Sequence, residues 1–206
     1  MHDNALTHLS EHDPILATLI DTYGYPTIAP HQNYYQELVE SIIGQQLSLA
    51  AAASITARFL ELYEGAFPTP QQILETDVET FRSVGFSRPK AHYVRDLAQH
   101  VIDGTIKFDH IDALSNQEII EELTAVKGIG VWTVHMFLIF CVGRADILAY
   151  GDLGVRNGIM ALYGFDHQPT KDEVESIASK NNWHPYESIA CWYVWRSLEN
   201  TPAVSI

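Results

Sequence analysis

Residues 123–158 read LTAVKGIGVWTVHMFLIFCVGRADILAYGDLGVRNG. Apolar residues at helical spacing run up to the KGIG turn at 127–130 and resume at Val131 or Trp132. Two glycines in four residues, Gly128 and Gly130, disfavour a helix interior and supply a sharp reversal instead. The stretch is therefore expected to form a helical hairpin. Further on, Asp152 stands directly before LGVRNGIMALYG, where an aspartate side chain would accept the first free amides of a third helix.

The same grammar extends in both directions. Capping residues precede apolar-periodic runs at Ser10 (EHDPILATLIDTYG, 11–24), Asn33 (YYQELVESIIG, 34–44), Ser48 (LAAAASITARFLELYEG, 49–65) and Asp77 (VETFRSVG, 78–85). It continues at Ser87 (RPKAHYVRDLAQHVIDG, 88–104), Ser115 (NQEIIEELTAV, 116–126) and Thr170 (KDEVESIASK, 171–180), and closes on PYESIACWYVWRSLE (185–199). No alternating strand pair with a hairpin turn interrupts the series, so an all-α chain is expected. Acidic residues gather in the first turns of several of these segments, where they complement the helix dipole and face solvent.

The 206 residues suffice for one compact domain or two small lobes, and 47% hydrophobic content can fill a core. A net charge of −14 argues against a protein coated in basic patches, so any nucleic-acid contact must be made locally. No apolar run is long enough to span a bilayer, and MHDNALTHLSEHD has neither the basic start nor the apolar middle of a signal peptide, so the cytoplasm is the expected compartment. Cys141 and Cys191 lack metal-ligand spacing and read as small buried hydrophobes. His8 and His12 share a helical spacing without a third ligand in view and read as a solvent-facing pair.

A glycine hairpin can simply pack two helices closely. It can also turn the amides at the start of its second helix outward, where they and the helix dipole would hold a phosphate without many lysines. Only Lys127 and Arg156 lie nearby in sequence as cations. Taken together, VKGIGVWTVHMFLIF, GDLGVRNG, SIIGQQLSLAAAASITARF, GFSRPKAHYVRDLA and PYESIACWYVW, spread over residues 40–196, resemble the helix-hairpin-helix DNA glycosylases, and within them the 3-methyladenine DNA glycosylase II family. Too few residues precede IIGQQ for the N-terminal β domain of the larger bacterial members, which suggests a compact, all-helical form.

The resemblance implies two helical lobes with the active-site cleft between them: residues 34–142, containing the hairpin at 123–142, and residues 1–33 plus 143–206. It places the catalytic aspartate at Asp152, and a helix cap and a catalytic carboxylate are compatible roles for that residue. Trp132 and Trp195 fall at base-pocket positions, whereas Met136 and Leu153 stand where some relatives carry tyrosine. The helical spacing of Trp192 and Trp195 equally fits an ordinary core. DNA contacts are expected from Lys127, Gly128, Ile129, Gly130, Thr133 and Arg156. Gln46 and Leu47 fall at the wedge that fills the hole left by a flipped base, although a plain connection between helices reads the same way. Backbone carbonyls of Thr124, Val126 and Ile129 are the implied ligands of a sodium or potassium ion.

The family's lyases carry a lysine two positions after the second hairpin glycine, and Trp132 occupies that position. An iron–sulfur cluster of the endonuclease III type needs four cysteines, and the chain has two. The expected activity is thus a monofunctional glycosylase of base excision repair, releasing alkylated purines from double-stranded DNA to leave abasic sites and acting as a monomer. It would work beside the chromosome in a bacterium or in the nucleus of a eukaryote. A non-catalytic DNA-binding hairpin module and a glycosylase of other base specificity are the alternatives.

Overall fold

The computed structural model describes residues 2–198, and every regular element among them is helical. The described chain divides into two compact units, residues 2–31 with 138–198, and residues 32–137.

The first unit begins with α1 (His2–His12) and α2 (Pro14–Tyr23). The sequence predicts one helix behind Ser10, but the break falls at Asp13. Pro14 has no N–H to continue α1 and is pre-set for the first position of a new helix. The Asp13 carboxylate accepts the amides of Ile15 (2.9 Å) and Leu16 (3.1 Å), and also the Tyr163 hydroxyl (2.6 Å) and Trp183 Nε1 (2.8 Å). Four donors offset the burial of this carboxylate, which is wholly inaccessible. His8 donates to the Asn182 carbonyl at 2.7 Å, so the His8–His12 pair is tied to the fold rather than simply facing solvent.

The second unit comprises α3 (Tyr34–Gly44), α4 (Leu49–Glu61), α5 (Pro70–Glu75), α6 (Val78–Ser83), α7 (Arg88–Ile102), α8 (Asn116–Thr124) and α9 (Val131–Met136), with a 3₁₀ segment at Phe108–Ala113. Phe59, Phe81 and Phe86 stack in its core with centroids 5.4–6.1 Å apart, and Leu38, Ile42, Val94 and Leu97 are buried with them. Helix α5 is not foreseen. It is nucleated by a capping box in which Thr69 Oγ1 accepts the Gln72 amide (3.3 Å) and the Gln72 side chain accepts the Thr69 amide (2.9 Å).

The apolar run after α9 widens into a π-helical segment at Phe137–Val142. The chain then completes the first unit with α10 (Leu153–Tyr163), α11 (Lys171–Lys180) and α12 (Glu187–Ser197). Gly158 lets α10 lie against α12, since a Cβ there would meet Val194 Cγ1 at 2.5 Å and its carbonyl oxygen at 2.8 Å. Both cysteines are buried, and burial pushes the Cys191 thiol up to about 12.

Candidate active site and nucleic-acid interface

In the first unit the expected catalytic residue, Asp152, is the N-cap of α10 in an extended backbone conformation (φ −78°, ψ 131°). Its Oδ1 accepts the Val155 amide at 2.9 Å and the indole N–H of Trp195 at 2.6 Å. The first bond is the cap the sequence predicts. The second comes from a residue on α12, and only packing supplies it. Gly154 makes the approach possible: a Cβ there would meet Trp195 Cδ1 at 2.8 Å and Asp152 Oδ1 at 3.0 Å. Trp195 is 5% exposed and packs against Phe140 at 5.5 Å, so its N–H holds the carboxylate in one orientation. Leu153, the first residue of α10, is 62% exposed. Arg156 is half-buried, with Nε donating to the Pro169 carbonyl at 2.7 Å, so part of its guanidinium serves the fold.

In the second unit α8, the KGIG turn and α9 form the hairpin. Gly128 has φ +87°, and a Cβ on it would stand 2.2 Å from the Tyr93 ring on α7. Glycine is required there twice over. Gly130 differs: its φ of −100° suits any residue, and a Cβ would point into open space. Lys127 is bound to α7 through Asp96, which accepts its amide at 2.8 Å and its ammonium at 3.2 Å. Burial alone would raise the Asp96 carboxyl, but Lys127 and His100 hold it below the ordinary range. The Lys127 amide is therefore committed to a side chain.

Val131 and Trp132 are exposed at the start of α9 (37% and 48%), whereas Ile129, Thr133 and Met136 are buried. The Thr133 side chain packs inward, because the third residue of α9 falls on the helix face that covers the core. The Val126 carbonyl accepts the Ile129 amide at 3.1 Å and keeps a second lone pair. With the carbonyls of Thr124 and Ile129 it offers neutral oxygen donors, which suit a hard cation such as an alkali ion.

The GQQLS segment joins α3 to α4. Gln46 adopts φ +58°, a left-handed conformation uncommon outside glycine, and the Leu47 amide closes the turn on the Gly44 carbonyl at 3.1 Å. Leu47 and Leu49 are exposed. Two neighbours went unnoticed in the sequence. Gln45 Nε2 donates to the Gly128 carbonyl at 2.7 Å, and Lys90 Nζ donates to the carbonyls of Ile43 (2.7 Å) and Gln45 (2.6 Å). A faint signal existed for Lys90, because a cation in the first turn of a helix opposes the dipole and calls for a partner elsewhere.

Residues 39–183 match the family described as HhH-GPD superfamily base excision DNA repair protein. The alkylbase DNA glycosidase-like protein mag2 of Schizosaccharomyces pombe is 34% identical over 95% of this chain and 93% of its own length. Among solved structures, the 3-methyladenine DNA glycosylase of the same yeast in complex with abasic DNA is similar with a TM-score of 0.83 and 36% identity, covering 95% of this chain and 97% of that one. A DNA-3-methyladenine glycosidase from Bacillus halodurans gives a TM-score of 0.86 and 35% identity, covering 94% and 88%. The chain belongs to the HhH-GPD superfamily of base excision DNA repair proteins.

Proposed function

We propose that the protein is a monofunctional DNA glycosylase that takes alkylated purines of the 3-methyladenine and 7-methylguanine type out of duplex DNA and hydrolyses their N-glycosidic bonds. The observation that carries this reading is the carboxylate of Asp152, pinned by the Val155 amide and the Trp195 indole. As the C1′–N bond breaks, the electron pair leaves with the base and positive charge develops on the deoxyribose. A pre-oriented anion stabilises that charge without reorganising during the reaction. Water then bonds to C1′ and loses a proton, with the Asp152 carboxylate able to accept it. The product is an abasic site.

A base that carries a positive charge before cleavage departs neutral and can be recognised on electron-rich rings. Trp132, exposed at the start of α9, is suited to that role, with Met136 one turn further along the same helix, and Leu153 offers exposed apolar surface next to Asp152 in the chain. The hairpin from Gly128 to Gly130 grips a phosphate through its backbone, assisted by the exposed ammonium of Lys127, and in the first unit the remaining N–H groups of Arg156 are available for a DNA contact of their own. An alkali ion on the carbonyls of Thr124, Val126 and Ile129 would add positive charge to that grip. Gln46 and Leu47 fill the space the base vacates. The enzyme acts on chromosomal DNA as a single chain. No helix among the described residues is long and apolar enough to cross a membrane.

The deciding experiment is incubation with methylated duplex DNA followed by chromatography of the released bases. Methylpurine release is expected. Binding to the duplex without release of any base would mark the hairpin as a non-catalytic module, and release confined to other lesions would reassign the pocket.

A further inference from the structure

The two DNA-facing segments of the second unit are both fastened to α7. Lys90, Tyr93 and Asp96 are three residues apart and run along one side of that helix. Lys90 holds the carbonyls of Ile43 and Gln45, at the end of α3 and the start of the GQQLS turn. Asp96 holds both the amide and the ammonium of Lys127, and the Tyr93 ring lies under Gly128. Six residues of helix separate the two anchor points, a rise of about 9 Å. Gln45 closes the loop by donating from the GQQLS turn to the Gly128 carbonyl.

Within α7 itself the position of Lys90 is unfavourable. An ammonium in the first turn of α7 is disfavoured by that helix's dipole, and burial lowers its basicity further. Its two acceptors are carbonyls left over at the C-terminus of α3, where a cation is favourable. Beside them Gln46 is kept at φ +58°, a conformation that lasts only where surrounding contacts over-determine it.

We infer that Lys90 and Gln45 are positioning residues that hold the Gln46–Leu47 wedge at a fixed offset from the hairpin, so that extrusion of the base depends on them. The inference rests on the proposed roles of the hairpin and the GQQLS turn. A wedge must enter the stack at a set distance from the phosphate being gripped, and an untied turn would let it yield instead of the base. Chemistry at Asp152 needs neither residue once a base has left the stack.

Lys90→Met keeps the aliphatic stem and removes the ammonium, and Gln45→Met does the same for the amide. Each variant is compared with the parent on a methylpurine in a fully paired duplex and on the same base opposite an abasic gap, with Lys90→Arg as the conservative control. Excision from the paired duplex should fall by about tenfold to a hundredfold, while excision opposite the gap stays within about threefold. Lys90→Arg should recover most of the loss.

Adding Lys90→Met to the double variant Gln46→Gly, Leu47→Gly should cause no further loss, because both act through one element. Equal losses on the two substrates, or losses that add, would overturn the inference. Amide exchange across residues 45–48 provides a reading without DNA. It should quicken in Lys90→Met while α8 stays protected, and unchanged exchange in that turn would also overturn the inference. A parent that releases no base would remove the proposed activity and leave the tie to be judged by the exchange result.

Discussion

The residue proposed as catalytic, Asp152, is also a structural one, bound by its own helix and by Trp195 of α12. Capping fixes the carboxylate against α10, and the indole N–H removes its remaining freedom about χ2. Asp152→Asn preserves a hydrogen-bonding cap but has no charge to balance the deoxyribose cation. Methylpurine release in single-turnover assays should fall by about a hundredfold or more, with duplex affinity and melting temperature close to the parent. Near-parental release would displace Asp152 from its role. Trp195→Phe separates aromatic area from the N–H. If the indole acts by orienting Asp152, phenylalanine should lower kcat by about tenfold and leave KM for DNA nearly unchanged. A rise in KM with kcat preserved would instead assign the ring to base stacking.

At the scale of the element, the two hairpin glycines make opposite predictions although they stand two residues apart. Gly128→Ala forces a Cβ into φ +87° and into the Tyr93 ring, so it should lower the melting temperature by several degrees before any question of DNA arises. Gly130→Ala meets no atom and no forbidden dihedral, so its melting temperature should equal or slightly exceed that of the parent. On the proposed phosphate grip, its methyl group would nevertheless stand where the phosphate approaches the backbone. Affinity for damaged and undamaged duplex should therefore fall alike, measured by fluorescence anisotropy at one salt concentration. Unchanged affinity would show that the turn only packs helices.

For the whole molecule, a net charge of −14 constrains how DNA can be held. Backbone amides carry no counterions to exchange, so few cations take part in the proposed grip. The slope of log K against log salt should be shallow, on the order of −2 to −4, as expected for two to four neutralised phosphates. A slope near −8 would require a basic surface that the composition does not supply. The reaction should also stop at the abasic site. With Trp132 at the position where lyases carry their lysine, strands should break only after alkali or heat, and borohydride should trap no covalent complex. Spontaneous scission by pure enzyme would point to another amine.

Local signals determined the helical class and most of its punctuation. Ser48, Ser87, Ser115, Thr170 and Asp152 cap helices where the sequence places them, because a cap involves groups within three residues of one another. The hairpin was legible for the same reason, whereas Asp152 read locally only as a cap and became the catalytic candidate through the family resemblance. The break at Asp13 was misplaced although Pro14 marks it, and the Thr69 capping box passed unnoticed. Other features lay beyond any local reading. The Trp195 bond to Asp152 spans 43 residues and the Gln45 bond to Gly128 spans 83. Lys90, a surface cation by composition, becomes an anchor only when α7 is packed against the end of α3. Such bonds depend on which helix faces meet, and that was decided by the tertiary packing of apolar surface drawn from the whole unit.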